Sequence, residues 1–452
     1  MAINKIIKDY RSGVKEDSYK GKYLKNLSSS FLLNIGSVII VYFTNLVLTR
    51  ITDKAEYGAY VAINNIASIL ALFAPMGLNI LILRQLPEYK SKEQYGLIKG
   101  INRFSIISIF VFSTLITLLA ILIFSNFNLL HGIKNNTYLI IGLSCVPLLS
   151  LLAYFQSVLN GLKHIGKSLM AEKIIRPILI AIGSALLFFI FSHADGGDLL
   201  SVFFVASVIV LILAYYFMQR GLKQEIPNHN AQYERINWLK QGWIFVPVSA
   251  LSIINSRIDI QMIEMLMNEK EALDNVALFN VANKAAQGLS LGLMISNYVL
   301  SPSASELYYT DQKERLQNIV TKTSRMVMLL SLPLFLGLIL GGFWLLGLYG
   351  PGYDEGYTTM LILIGGQFVN VAAGPVGYLL IMTKNEKYTI IGMSVSVVMN
   401  IILNLLLIDD YGIEGVAVAT AVSLAAWNLI MLYYLMKKTG LNPTAFSFNG
   451  KK

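Results

Sequence analysis

A single cysteine occurs among the 452 residues. No intramolecular disulfide framework can form, and Cys145, set in an apolar run, reads as a small core residue. The four histidines, His131, His164, His193 and His229, are scattered without the spacing of metal ligands, and nothing calls for a cofactor. Charge is scarce too: 14% of residues are Asp, Glu, Lys or Arg, against about 25% in soluble domains. No cleavable signal is expected at the start, because residues 1–26 are polar and basic with no apolar stretch. What fills the chain instead is apolar: 55% of residues are hydrophobic and the mean hydropathy is +0.60. The apolar residues fall in runs of about twenty, the length that crosses a ~30 Å hydrocarbon layer as a helix. A soluble globule is excluded, and an all-α integral membrane protein is expected.

The runs divide into about twelve transmembrane helices: 28–49, 58–82, 104–125, 138–159, 174–194, 199–219, 242–266, 275–299, 326–349, 357–382, 388–408 and 414–436. With the N-terminus inside, the inside segments hold 30 Lys and Arg and the outside loops 4, with Arg257 and Lys284 left within spans. That asymmetry sets both termini on the cytoplasmic side. It also accounts for the net charge of +10 without nucleic acid as a partner, leaving contact with anionic lipid as a secondary role. The longest connections, 83–103, 220–241 and 300–325, are cytoplasmic. The polar and basic segment 220–241 divides the spans six and six. The expected organisation is a cytoplasmic segment 1–27, a first bundle 28–219, the linker 220–241, a second bundle 242–436 and a tail 437–452. Within 2–12, Ile3, Ile6, Ile7 and Tyr10 share one face, as in an interfacial amphipathic helix.

One motif is a decoy. Gly161 to Ser168 spell GLKHIGKS, which fits the P-loop pattern, and Asp409-Asp410 imitate its metal-binding partner. A P-loop needs a preceding strand. Here a membrane span precedes it, and the topology places Lys167 and Asp409 on opposite sides, so nucleotide is not expected. Gly337 and Gly341 form a G-x-x-x-G pair, a close-packing device. The informative residues are polar ones within spans, since a charge there costs at least ~2.5–3.5 kcal/mol on insertion scales. Span seven carries Arg257, Gln261 and Glu264 on one helical face and Ser252, Asn255 and Asp259 nearly opposite. Span eight carries Asn280, Asn283, Lys284 and Gln287 on one stripe. Asn34, Ser37 and Asn45 line span one, Tyr57, Tyr60, Asn64 and Ser68 span two, and Asn400 and Asn404 span eleven. For the neutral groups, interhelical hydrogen bonding is the simpler reading. For Arg257, Asp259 and Lys284 a polar cavity is. Arg257 and Asp259, two residues apart, cannot pair, so Lys284 is the expected partner of Asp259.

Residues 398–422, VMNIILNLLLIDDYGIEGVAVATAV, resemble the C-terminal signature of the polysaccharide flippases. Residues 49–89 are similar to that family's first hairpin, in which an Arg ends helix one, E-Y/F-G-x-Y opens helix two and L-x-R closes it; here Arg50, Glu56 to Tyr60 and Ile82-Leu83-Arg84 stand at those places, the last with Ile for Leu. NSRIDIQMI, 255–263, resembles its seventh helix with its Asp. These are lipid-linked oligosaccharide flippases of O-antigen type, in the multidrug/oligosaccharidyl-lipid/polysaccharide exporter superfamily. The resemblance implies two six-helix bundles around a central cavity, alternating access, and a polyprenyl-diphosphate-linked oligosaccharide as substrate, with membrane lipid and other polysaccharide-assembly proteins as partners. It implies residence in a prokaryotic plasma membrane. The family's basic cavity residues map onto Arg50, Arg257 and Lys284, with Asp259 as the matching acid. Asn255, Asn280, Asn283 and Gln287 are then candidates for sugar hydroxyls, and Asp259 and Glu264 for coupling.

Three other functions compete. A cation-coupled multidrug antiporter of the same superfamily typically carries a carboxylate in helix one, and residues 28–49 hold none. A membrane glycan polymerase needs a large outer loop and paired carboxylates; these outer loops are short, and an enzyme is not expected. A major-facilitator carrier would show an Arg-rich signature that 83–103 lacks.

Overall fold

The computed structural model describes residues 19–127, 133, 136–191, 193–227, 229–243, 245–294, 296, 300, 307–308, 310 and 312–446. They are helical almost throughout, as lipid requires: with no water to satisfy backbone N–H and C=O groups, a spanning segment must bond within itself. In chain order the helices are α1 (Tyr19–Ile51), α2 (Lys54–Phe73), α3 (Leu78–Ser91), α4 (Tyr95–Phe127), α5 (Asn136–Gly161), α6 (Ile165–Phe191) and α7 (Gly196–Glu225). There follow α8 (Arg235–Trp243), α9 (Val246–Leu266), α10 (Ala272–Gln287), α11 (Lys313–Gly347), α12 (Tyr357–Ala373), α13 (Val376–Met382) and α14 (Glu386–Thr439). Seven described helices or joined helix pairs are long and apolar enough to cross a membrane, or eight if the bent pair α2–α3 counts as one span. The chain is a multi-pass, all-α membrane protein. The expected amphipathic segment 2–12 lies outside the described residues.

The helices depart from the expected spans where special backbone residues intervene. The second span is two helices bent by 47° at Ala74-Pro75-Met76-Gly77, where Met76 and Gly77 both take positive φ. The tenth breaks at Gly374 (φ 78) between α12 and α13. The last two spans run as α14 through a non-helical break at Gly412 (φ 53, ψ −137). The connection expected over 83–103 is mostly helix instead: α3 runs to Ser91, α4 begins at Tyr95, and only 92–94 form the turn. Beyond the apolar layer, polar residues of good helix propensity keep the backbone bonding going. The GLKHIGKS segment is the turn between α5 and α6, so helix rather than strand leads into it.

Residues before and after the linker meet chiefly through α2, which packs along both α9 and α10. Gly58 of α2 permits this approach, since a Cβ there would lie 1.9 Å from the Leu273 carbonyl oxygen. At the same end, Arg50 donates to the carbonyls of Leu348 (2.6 Å) and Gly347 (3.3 Å) at the C-terminus of α11. Lys54 bonds the Gly352 carbonyl (3.1 Å) and pairs with Glu355 (3.3 Å). Tyr42 and Tyr349 stack edge to face. These contacts form a clasp between residues 42–58 and the segments 273 and 347–355.

The segment expected as a linker, 220–241, is partly helical and is held against its neighbours. The Gln232 N–H donates to the Gly96 carbonyl (2.9 Å), and Trp238 of α8 is fully buried, its indole N–H donating to the Tyr89 hydroxyl (3.1 Å) and its ring against Phe104. Truncating a buried Trp costs ~3–5 kcal/mol, while losing one hydrogen bond costs ~1 kcal/mol. Trp238→Ala is therefore expected to lower the melting temperature of the detergent-solubilised protein markedly, and Trp238→Phe only slightly. A Trp238→Ala protein melting with the parent would mean that the linker is not anchored there.

Candidate functional site

The polar residues of α9 sort onto two faces, and the structure gives each face its own partners. On one, Asp259 is buried, at 6% exposure. Its Oδ1 accepts from the side-chain amides of Asn400 (2.9 Å) and Asn404 (3.0 Å), and its Oδ2 from the Thr420 hydroxyl (2.8 Å). Asn404 also donates to the Asn400 amide oxygen, and one turn away Asn255 accepts from the Ser396 hydroxyl (3.1 Å). The donors come from both arms of α14, on either side of Gly412. The expected Asp259–Lys284 ion pair is therefore not formed. α9 points Asp259 at α14, and Lys284 of α10 faces α1 and α2 instead.

Removing a carboxylate from water costs several kcal/mol, and each hydrogen bond to a charged group returns ~1.5–3 kcal/mol. Three neutral donors therefore hold Asp259 without a cation. The Asn404 amide oxygen has no hydrogen-bond partner, so oxygen atoms outnumber donors in this pocket.

On the other face, Arg257 and Asn65 of α2 bond reciprocally. The guanidinium donates to the Asn65 amide oxygen (3.3 Å), and the Asn65 amide donates to the Arg257 carbonyl (2.9 Å). Lys284 donates to the Asn45 amide oxygen, which also accepts from Tyr57 (2.7 Å). Tyr57 in turn accepts from Asn280 (3.0 Å). Neither Arg257 nor Lys284 forms an ion pair among the described residues. The two are near enough that each charge acts on the other. Arg257, Asn283 and Lys284 are only half-buried and Gln287, which donates to Asn283, is exposed. This stripe of α10 is therefore not packed shut. Gln261 and the fully buried Glu264 continue the Arg257 face along α9.

Arg50 stands apart from this group. It was expected beside Arg257 and Lys284, but its bonds are to the end of α11 in the clasp. Arg50 ends its helix next to carbonyls that have no intrahelical donor, and those carbonyls attract a cation.

Other residues join the site without having been singled out. Asn65 is one of two adjacent asparagines, and periodicity pointed to Asn64. Glu172 and Arg176 form an ion pair (3.4 Å) at a π-helical turn, Met170–Ile175, within α6, and their charges also act on Arg257. Gln156 donates to Glu172 (2.7 Å), the Arg176 guanidinium lies over the Phe203 ring, and one Arg176 nitrogen is buried without a hydrogen-bond partner. A Glu and an Arg four apart at the edge of a basic turn gave no sign in the sequence that they lie at the site.

With this arrangement in view, comparison with known proteins is informative. The protein described as "probable low-salt glycan biosynthesis flippase Agl15" of Haloferax volcanii is 22% identical over 410 residues, 90% of this chain and 82% of that one. Among solved structures, the lipid II flippase MurJ in an inward closed conformation superposes with a TM-score of 0.66 at 16% identity, over 89% of this chain and 86% of that one. An inward-facing multidrug resistance MATE transporter of the MOP superfamily gives 0.69 at 10% identity, over 91% and 98%. Those two structures share the fold. The sequence family of polysaccharide biosynthesis proteins matches residues 23–308, more than half the chain, and the protein belongs to that family.

Proposed function

We propose that this protein is a flippase that carries a polyprenyl-diphosphate-linked oligosaccharide from the cytoplasmic to the outer leaflet of a prokaryotic plasma membrane by alternating access. In this reading the bundles 28–219 and 242–436 rock about the linker 220–241, with both termini cytoplasmic. The observation that carries it is the pair Arg257 and Lys284, two half-buried cations held by neutral amides and lacking an ion-pair partner among the described residues. A diphosphate crossing an apolar layer faces a prohibitive desolvation cost, and positioned cations offset it by charge-assisted hydrogen bonds. Asn283, Gln287 and Asn280 lie along the same stripe for sugar hydroxyls. Binding a glycan linked to a lipid by a diphosphate is transport chemistry and needs no catalytic group.

Asp259 has a different part. A buried carboxylate with three neutral partners and a spare amide oxygen takes up a proton or a small cation readily, and its donors sit on both arms of α14. It is the coupling candidate, with Glu264 second. Arg50 and Lys54 belong to a gate. Exposed ion pairs are worth only ~0–1 kcal/mol, so the Lys54–Glu355 bond opens at little cost. A drug antiporter shares the fold but would place its carboxylate on α1, where residues 28–49 have none; drug efflux without glycan transport would favour it.

Three outcomes follow. In a background lacking Cys145, cysteines at His193 and Lys270 should react with an impermeant reagent from outside, and those at Lys92 and Gln232 should not. Outside labelling of Gln232 would overturn the two-bundle topology. In vesicles reconstituted with a fluorescent polyprenyl-diphosphate disaccharide, Arg257→Ala should abolish flipping while the protein stays folded. Arg257→Lys should recover only part of it, because the charge returns without the bidentate fork. Full activity of an Arg257→Ala, Lys284→Ala double variant would sink the anionic-cavity reading. Asp259→Asn, which keeps the shape of the side chain, should leave substrate binding intact but make flipping insensitive to ion and proton gradients. Unchanged gradient dependence would remove Asp259 from coupling.

A further inference from the structure

A second basic site lies away from α9. Helices α4 and α7 both pack on α5 but not extensively on one another, and the gap between them opens as a groove of about 1190 Å³. It sits at the end of these helices that carries the 83–103 and 220–241 connections. Of the 16 residues that line it, Lys99, Arg103, Lys223 and Arg235 are basic and none is acidic. The four come from three elements, α4, α7 and the start of α8, so no one helix accounts for the cluster. Two carboxylates close in sequence to the lining residues of 222–235 are engaged with other side chains. Glu225 pairs with Lys90 and His164, and Glu234 accepts from Asn237.

The groove has two zones. Its basic end is also lined by linker residues Pro227 and Tyr233, with the Arg235 guanidinium over the Tyr233 ring. Towards the middle of the helices its wall becomes apolar at Ile107. Beyond it the outward surface continues through Val111 on α4 and Ile212 on α7, all three exposed. A molecule that satisfies both zones carries a phosphate anion at one end and hydrocarbon at the other. Cations at the edge of the apolar layer attract anionic lipid, and Arg grips phosphate oxygens in pairs.

We propose that this groove binds an anionic phospholipid of the leaflet facing the basic connections, its phosphate held by Arg103, Lys223 and Arg235 and its acyl chains laid along α4 and α7. The site is separate from the Arg257–Lys284 pair. A bound lipid there would tie α4 and α7 to the linker that joins the bundles. The inference does not depend on what the protein transports, because a resident lipid and a transported one would be retained differently.

The test is native mass spectrometry of the full chain in detergent, titrated with phosphatidylglycerol, phosphatidylcholine or undecaprenyl phosphate. The parent should retain phosphatidylglycerol in preference to phosphatidylcholine. Arg103→Gln, Lys223→Gln should weaken that retention roughly thirty-fold, the effect of two basic residues beside an anionic lipid, while melting at the parent's temperature. Arg257→Ala should leave it unchanged, which separates this site from the transport site. Equal retention of the two phospholipids by the parent would overturn the proposal, as would an undiminished preference in the double variant. Retention of undecaprenyl phosphate without phosphatidylglycerol would assign the groove to a polyprenyl carrier and overturn it as well.

Discussion

Arg257 and Asp259 stand two residues apart on a helix within the apolar layer, and helical geometry sends them to different sides. Neither charge is left in hydrocarbon, and neither neutralises the other. Each must find polar partners on a different neighbour, which forces α9 between α2 and α14. From that placement much of the interior follows. Asn65 turns its amide to Arg257, the Asn400–Asn404 ladder turns to Asp259, and α10 comes to lie beside α2 with Lys284 over Asn45. Neutral amides are well suited to this work, because each offers both a donor and an acceptor and costs far less to bury than a second ion.

The partners are also divided in a useful way. Everything bonded to Asp259 lies after the linker, whereas Arg257 and Lys284 bond to residues before it. A change of protonation or ion occupancy at Asp259 would thus act within the second half. The contacts of Arg257 and Lys284 instead tie residues on the two sides of 220–241 to one another. Arg257 and Asn65 share two hydrogen bonds and Lys284 donates one to Asn45, and the clasp around Arg50 and Lys54 adds bonds to backbone carbonyls.

Hydropathy made the helical membrane fold legible, because it follows from transfer free energies that each residue carries with it. The polar faces of α9 and α10 were legible for the same reason: the periodicity of a helix is fixed. Partner choice was not. Asp259 with Asn400, Asn404 and Thr420 needs the fold of α14 at Gly412, and periodicity cannot report which helix lies opposite. The error over Lys284 came from assuming that a buried acid seeks a base when three amide and hydroxyl donors suffice. Arg50 was misplaced because a cation at a helix end has carbonyls close by, here from α11, which are distant in sequence. The helical extensions over 83–103 were read as loop because polarity marks the edge of the membrane, not the end of a helix.

The π-helical turn at Met170–Ile175 sets the rotational register of the charges around it. A π turn holds one residue more than the α turn it replaces, as if a single codon had been inserted into an ordinary helix. Removing one residue there would restore regular winding and leave the remainder of α6 long enough to span. It would also rotate everything on one side of the deletion by about 100° relative to the other, separating Arg176 from Glu172 and carrying one of them away from Arg257. The length of this one turn thus decides which charges stand beside Arg257, while the helix itself would span either way.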